Sequence, residues 1–302
     1  MFTRFLPYAL VGSLTLLSAC SSHKKEPEYT SEADLYTTAE RQLTLQQWET
    51  GIKNLQSIEE NFPFGTYAEQ AQLELIYAYY NSDKPDEAIA TANRFIRLHP
   101  QHRNVDYAYY MMGLSAFTKD KGMFERLMPT DMTQRDPGAA RESMGYFTQL
   151  LNRFPDSPYA ADAKKRMLFL RNLMARYEIH VANYYFKRGA YVAAVGRGRF
   201  VLENYPKTPA IPDSLAVMVQ GYHLLGMQDR ADEMLNILRS NYPDYPALNK
   251  EGVFDYDYAH HDPRANWFGK ITLGLFSKHD YFGFDTREIY DAEYKKAPHV
   301  KN

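Results

Sequence analysis

Four side chains near the end of this sequence, Asp255, Asp257, His260 and His261, are of the types that ligate metals. Their spacing is irregular, and adjacent histidines on one strand or helix point apart, so they make a poor metal site. No nucleophile elbow, no His-Glu-x-x-His, no phosphate-binding loop and no Cys-x-x-Cys occurs anywhere in the chain. Gly196-Arg197-Gly198 carries two of a dinucleotide loop's glycines, but it falls inside a helical pattern with no strand before it. Acidic pairs such as Glu59-Glu60 sit at exposed helical positions. An enzyme is therefore not expected, and neither is a cofactor. What the chain has in abundance is tyrosine and phenylalanine, 25 and 17 of them. Amphipathic rings in that number suit helix packing and an adhesive surface.

The remaining reactive side chain is Cys20, the only cysteine. It follows a positive residue, Arg4, then a short apolar run from Phe5 to Leu17, then Ser18 and Ala19. Residues 1–19 thus have the composition of a secretory signal peptide and are too short for a stable membrane span. Leu17-Ser18-Ala19-Cys20 resembles a bacterial lipobox, whose cysteine thiol receives a diacylglyceryl group and becomes the mature N-terminus. Each buried acyl methylene contributes about 0.8 kcal/mol, so two or three chains would anchor the protein almost permanently. Ser21 rather than Asp follows the cysteine, which in enterobacterial-type sorting implies the outer membrane. Residues 20–30 are polar and are expected to form a lipidated flexible tether.

The rest of the chain is organised by prolines. Phe62-Pro63, His99-Pro100, Phe154-Pro155, Tyr205-Pro206 and Tyr242-Pro243 each place a helix-stopping residue behind an aromatic ring. Gly65 follows the first of them and can take a positive φ without penalty. Twelve residues before each proline stands a small residue: Gly51, Ala88, Ser143, Ala194 and Ala231. Apolar residues follow four and seven positions on, as in Leu55 and Ile58, Phe147 and Leu150, Leu235 and Leu238. That spacing describes one helix face. Ala39, Ile76, Ala182 and Val219 are the matching contacts on the preceding helices. The pattern fits a tetratricopeptide repeat of roughly 34 residues, a helix-turn-helix that buries its face only against neighbours. The fold expected is all-α, a solenoid of about five such repeats. Residues 31–155 hold repeats one to three, 156–243 hold repeats four and five, and 244–302 form an irregular C-terminal extension. Thr118 to Arg135 is an insertion expected to be a loop, and Pro158 to Arg188 contains no internal Pro or Gly and predicts one long helix. The extension is expected to be a partly disordered tail capping the last repeat. Lys plus Arg is 35 against 37 Asp plus Glu, so no charge field points to nucleic acid.

In such arrays the first helix of each pair lines the binding face. Counting from the small residues puts Tyr36, then Tyr77 and Tyr80, then Tyr107 and Tyr110 on that side. A tyrosine-lined groove suits an extended peptide with aromatic side chains.

Pro63-Phe64-Gly65-Thr66-Tyr67, Leu75-Ile76-Tyr77-Ala78-Tyr79-Tyr80, Arg94 to Pro100, Val105-Asp106-Tyr107, Gly113-Leu114, Gln134-Arg135-Asp136-Pro137 and the run Phe154 to Tyr159 resemble the BamD family. In some bacteria its members are called competence lipoprotein ComL. These are tetratricopeptide lipoproteins of the outer-membrane β-barrel assembly machinery, and the resemblance runs from Cys20 to about Pro243. It implies a non-enzymatic scaffold and receptor, lipid-anchored on the periplasmic face of the outer membrane. It implies as partners the periplasmic domains of the insertase BamA, the lipoproteins BamC and BamE, and unfolded barrel precursors, which end in an aromatic residue. Gly189 to Arg197 aligns with a family segment whose arginine contacts BamA, so the resemblance assigns that role to Arg197. A second class of function is an envelope lipoprotein that coordinates peptidoglycan enzymes. The lack of an N-terminal coiled-coil heptad run counts against it.

Overall fold

A computed structural model describes residues 31–119, 131–260 and 283–292. The signal peptide, the tether with Cys20, most of the insertion, and residues 261–282 and 293–302 of the C-terminal extension lie outside the described residues. Among the described residues all regular structure is helical, apart from one isolated bridge between Leu248 and Phe254.

Among the described residues ten helices make five pairs: α1 (Glu32–Thr44) with α2 (Trp48–Asn61), α3 (Ala68–Asn81) with α4 (Pro85–Leu98), α5 (Val105–Thr118) with α6 (Gly138–Arg153), α7 (Ala160–Lys187) with α8 (Tyr191–Asn204), and α9 (Ile211–Leu224) with α10 (Gln228–Asn241). A single turn, α11 (Arg287–Tyr290), closes the described chain. The expected long helix is α7, of 28 residues.

The helix ends follow from the prolines. Phe62, His99, Phe154, Tyr205 and Tyr242 all have φ between −124° and −138°, and each amide still bonds the carbonyl four residues back. A residue before proline is pushed out of the α region by the ring's Cδ, so the helix stops at the same atom each time. Within pairs, the turn needs one left-handed residue two positions past the first helix. Gln46, Asp83, Gly189 and Gly226 fill that place, with φ of 57°, 57°, 69° and 70°. Gly65 does not use the positive φ open to it. Its missing Cβ matters for another reason: the Glu32 carboxylate lies over it, and a methyl group there would collide with that carboxylate.

All five small residues are buried, as are Leu55, Ile58, Phe147, Leu150 and Leu238 and the first-helix contacts Ala39, Ile76, Ala182 and Val219. Gly113 sits so close to the Phe147 ring that an added Cβ would overlap it. Opposite it, Ser143 donates to the Gly113 carbonyl at 2.7 Å, so the buried hydroxyl is satisfied where the axes approach.

The chain divides into two compact units, Met1–Ala68 and Glu69–Asn302. In the first, α1 packs on α2. In the second, α3 and α4 share one apolar cluster, and from α4 to α10 every helix packs on the next, as in a tetratricopeptide solenoid. The described parts of the C-terminal extension contribute to the core of this unit. Tyr245, Ala247, Phe254, Ala259 and Phe284 are buried with Phe186, Val217 and Leu238. A fully buried ring contributes on the order of 2–3 kcal/mol, so these parts of the tail are held rather than merely appended. In the insertion, Met132–Gln134 forms a 3-10 turn with Asp131 accepting from the Thr133 amide, where a loop was expected.

Candidate functional site

On α3 and α5 the candidate tyrosines come in pairs three residues apart, Tyr77 with Tyr80 and Tyr107 with Tyr110, which puts each pair on one helix face. In the second unit Tyr80, Tyr107 and Tyr110 pack against one apolar cluster. Tyr77 on α3 is 43% exposed and Tyr80 half-buried. Tyr107 and Tyr110 on α5 are half-buried against Tyr159, with ring centroids 5.7 and 4.7 Å away. Burial pushes the Tyr107 hydroxyl well above its ordinary pKa, and the neighbours that add to the shift are Tyr159, Tyr77, Glu74 and Tyr110. The ring contacts make Tyr107, Tyr159 and Tyr110 one cluster. The Tyr110 hydroxyl donates to Asp162 at 2.6 Å and is pushed up to about 12, first by burial and then by that bond. It stays a hydrogen-bond donor across the physiological range.

Tyr36 belongs to the first unit and is buried, its ring stacked on Tyr67 at 4.5 Å. The Tyr110–Tyr159 stack repeats this geometry, with interplanar angles of 18° and 17° in the two pairs. Both second tyrosines stand four residues after a closing proline, Pro63 or Pro155. The acids follow the same register. Glu32, four residues before Tyr36, accepts from the amides of Thr66 and Tyr67 at 3.1 and 2.7 Å. Asp106, four residues before Tyr110, accepts from the Ser157 hydroxyl at 2.7 Å. Glu69 holds the equivalent place in the second repeat and meets His99 and His102 at 3.1 and 3.6 Å. In the first three repeats an acid in the first turn of the first helix thus ties down the turn that opens the next repeat, a position favoured by the positive end of that helix. Tyr159 was not among the sequence candidates. Its register with Tyr67 is the signal that identifies it.

Arg197 on α8 is already partnered within the chain. Its Nη1 donates to Glu178 at 2.8 Å, and its guanidinium lies 5.9 Å from the centre of the Tyr185 ring. Glu178 is 5% exposed and Arg197 40%. The bond to Glu178 is the main reason the guanidinium holds its proton more tightly than usual. Cys20 and His261 lie outside the described residues. Among the described residues no group of three His, Cys, Asp or Glu could hold a metal, and no helix is long and apolar enough to cross a membrane.

Residues 28–238 match the family model described as outer membrane lipoprotein, YfiO. The chain belongs to this family. It is 39% identical over 238 residues to the outer membrane protein assembly factor BamD of Neisseria meningitidis strain Z2491, covering 77% of this chain and 89% of that one. The factor of the same name from Vibrio cholerae is 36% identical over 229 residues, 76% of this chain and 95% of the relative. That of Xylella fastidiosa strain Temecula1 is 36% identical over 241 residues, 79% and 82% of the two chains. The family match ends at residue 238, before the C-terminal extension begins.

Proposed function

We propose that this chain is a non-enzymatic receptor and scaffold of the outer-membrane β-barrel assembly machinery, anchored by lipid on Cys20. The aromatic cluster of Tyr107, Tyr159 and Tyr110, with Tyr77 exposed on α3, is the observation that supports a receptor most directly. It presents adjacent amphipathic rings on helices whose other faces are packed, so the side chains are pre-positioned and little rotamer freedom is lost on binding. An unfolded barrel precursor ending in an aromatic residue has the matching chemistry. The names of the relatives support a role in assembly, and the fold supports a scaffold. The partners proposed are the periplasmic domains of BamA, met by the exposed edge of Arg197, and BamC- and BamE-like lipoproteins. Arg197 can do this because its bond to Glu178 occupies Nη1 and leaves other guanidinium donors for a partner carboxylate.

A photo-crosslinking residue at Tyr77 in the full lipidated chain tests the receptor role against a purified, unfolded barrel precursor. A crosslink that deletion of the precursor's terminal aromatic residue weakens is the expected result. Crosslinks obtained only from positions on α8 and α10, with none from Tyr77, would overturn it.

A further inference from the structure

The described end of the chain is held by polar side chains of α7 and α9. Asn183 on α7 uses its carboxamide on both sides of one residue. Its Nδ2 donates to the Phe284 carbonyl at 3.1 Å, and its Oδ1 accepts from the Phe284 amide at 3.0 Å. The Phe284 ring is fully buried, with Phe186, Phe254 and Tyr258 around it at centroid distances of 6.2–6.3 Å. Two residues on, Asp213 of α9 accepts from the Thr286 amide at 3.0 Å and from its hydroxyl at 2.8 Å. Asp213 is itself inaccessible to solvent, paired with Arg176 of α7 and bonded to the Tyr245 hydroxyl at 2.9 Å.

These contacts have the chemistry that recognition of a peptide requires. A bidentate amide senses backbone, an aromatic pocket selects a ring, and a charge-assisted acceptor selects a hydroxyl two positions later. The residues that build it on α7 and α9 fall within the stretch matched by the family, whereas the segment that fills it lies beyond the end of that match. The helices concerned are again first helices of their pairs. We propose that the face shared by α7 and α9 is a peptide-binding site distinct from the tyrosine cluster, specific for a non-helical segment with phenylalanine followed two residues later by threonine. Gly283–Tyr290 is its built-in occupant, and a segment of the same chemistry supplied in trans takes its place. The site stands independently of the barrel-assembly role proposed above.

The test uses the full chain and a fluorescent synthetic peptide copying Gly283–Tyr290. Unmodified protein, with its site filled in cis, binds the peptide weakly. Phe284→Ala loosens the internal occupant and tightens peptide binding by about tenfold or more. Adding Asn183→Ala to Phe284→Ala removes two hydrogen bonds to the peptide backbone and weakens binding by about tenfold again. A Phe284→Ala protein of native helicity that does not bind the peptide overturns the proposal, as does binding indifferent to Asn183→Ala. Should Phe284→Ala fail to fold, a site-specific protease sequence placed between residues 265 and 275 severs the covalent link instead. The cleaved tail should then exchange with labelled peptide while the repeats stay folded. A tail that never exchanges is a fixed part of the core, and the proposal falls.

Discussion

Replacing Arg197 with alanine separates two roles that the bond to Glu178 joins. The substitution leaves a 5%-exposed carboxylate without the guanidinium that sits 2.8 Å from it. Breaking a fully buried ion pair from one side costs about 3–5 kcal/mol. Arg197 is 40% exposed, however, so water screens the pair and replaces part of what is lost. A cost of about 1–3 kcal/mol follows. At roughly 2–4 °C per kcal/mol for a domain of this size, the melting temperature should fall by roughly 2–12 °C. Glu178→Gln combined with Arg197→Ala removes the stranded charge and should recover most of that loss. Thermal unfolding by circular dichroism reads this part. Co-purification with the BamA periplasmic domains, run on the same proteins, reads the other. If Arg197 touches the partner, the double variant regains its melting temperature but not its binding. Recovery of both assigns the arginine to holding Glu178 alone. A melting temperature of Arg197→Ala within about 1 °C of the parent would refute the reasoning about the buried carboxylate.

Three further outcomes are expected. Gly113→Ala drives a methyl group into the buried Phe147 ring and should destabilise the chain by about 1–3 kcal/mol, seen as an earlier denaturant midpoint with an unchanged slope. Asp285 and Asp131 should make stability depend on acid. Burial raises both carboxyls, but the Arg287 hydrogen bonds with the charge of Arg176 at Asp285, and the Thr133 hydroxyl bond with the charge of Arg287 at Asp131, outweigh it and leave both below the ordinary 3.8. A depressed carboxyl contributes stability that is complete above 3.8 and is lost as pH falls below it through the folded value. Melting temperatures between about pH 6 and pH 2 should therefore drop less in Asp285→Asn than in the parent, and equal drops would contradict the assignment. Cys20→Ala should move the protein from the membrane to the soluble fraction of fractionated cells, because the thioether that would carry the acyl chains can no longer form. Membrane retention of the variant would remove Cys20 as the anchor.

Much of the fold was legible because proline acts locally. The ring of Pro63, Pro100, Pro155, Pro206 or Pro243 forces the residue before it out of the helix whatever surrounds it, so five identical helix ends could be read from five dipeptides. Small residues twelve positions earlier were equally legible, since two helix axes cannot approach around a large side chain. The reason for Gly65 was not. Its neighbour is Glu32, more than thirty residues away, and only packing brings that carboxylate over it. Tyr36 illustrates the same limit: periodicity placed it on the first-helix face, but whether a ring on that face meets solvent or another ring depends on Tyr67.

The sequence by itself determined helix positions, repeat phase and the side chains able to make an aromatic surface, because these depend on residues a few positions apart. Only the tertiary structure decided which carboxylates are already committed. Glu178 meets Arg197 nineteen residues on, and Asp213 meets Thr286 seventy-three residues on. It also decided that the C-terminal extension supplies Phe284 to the core instead of trailing from the last repeat. A polar group taken out of water must find a partner at hydrogen-bond distance, and at those separations no local pattern says which one it finds.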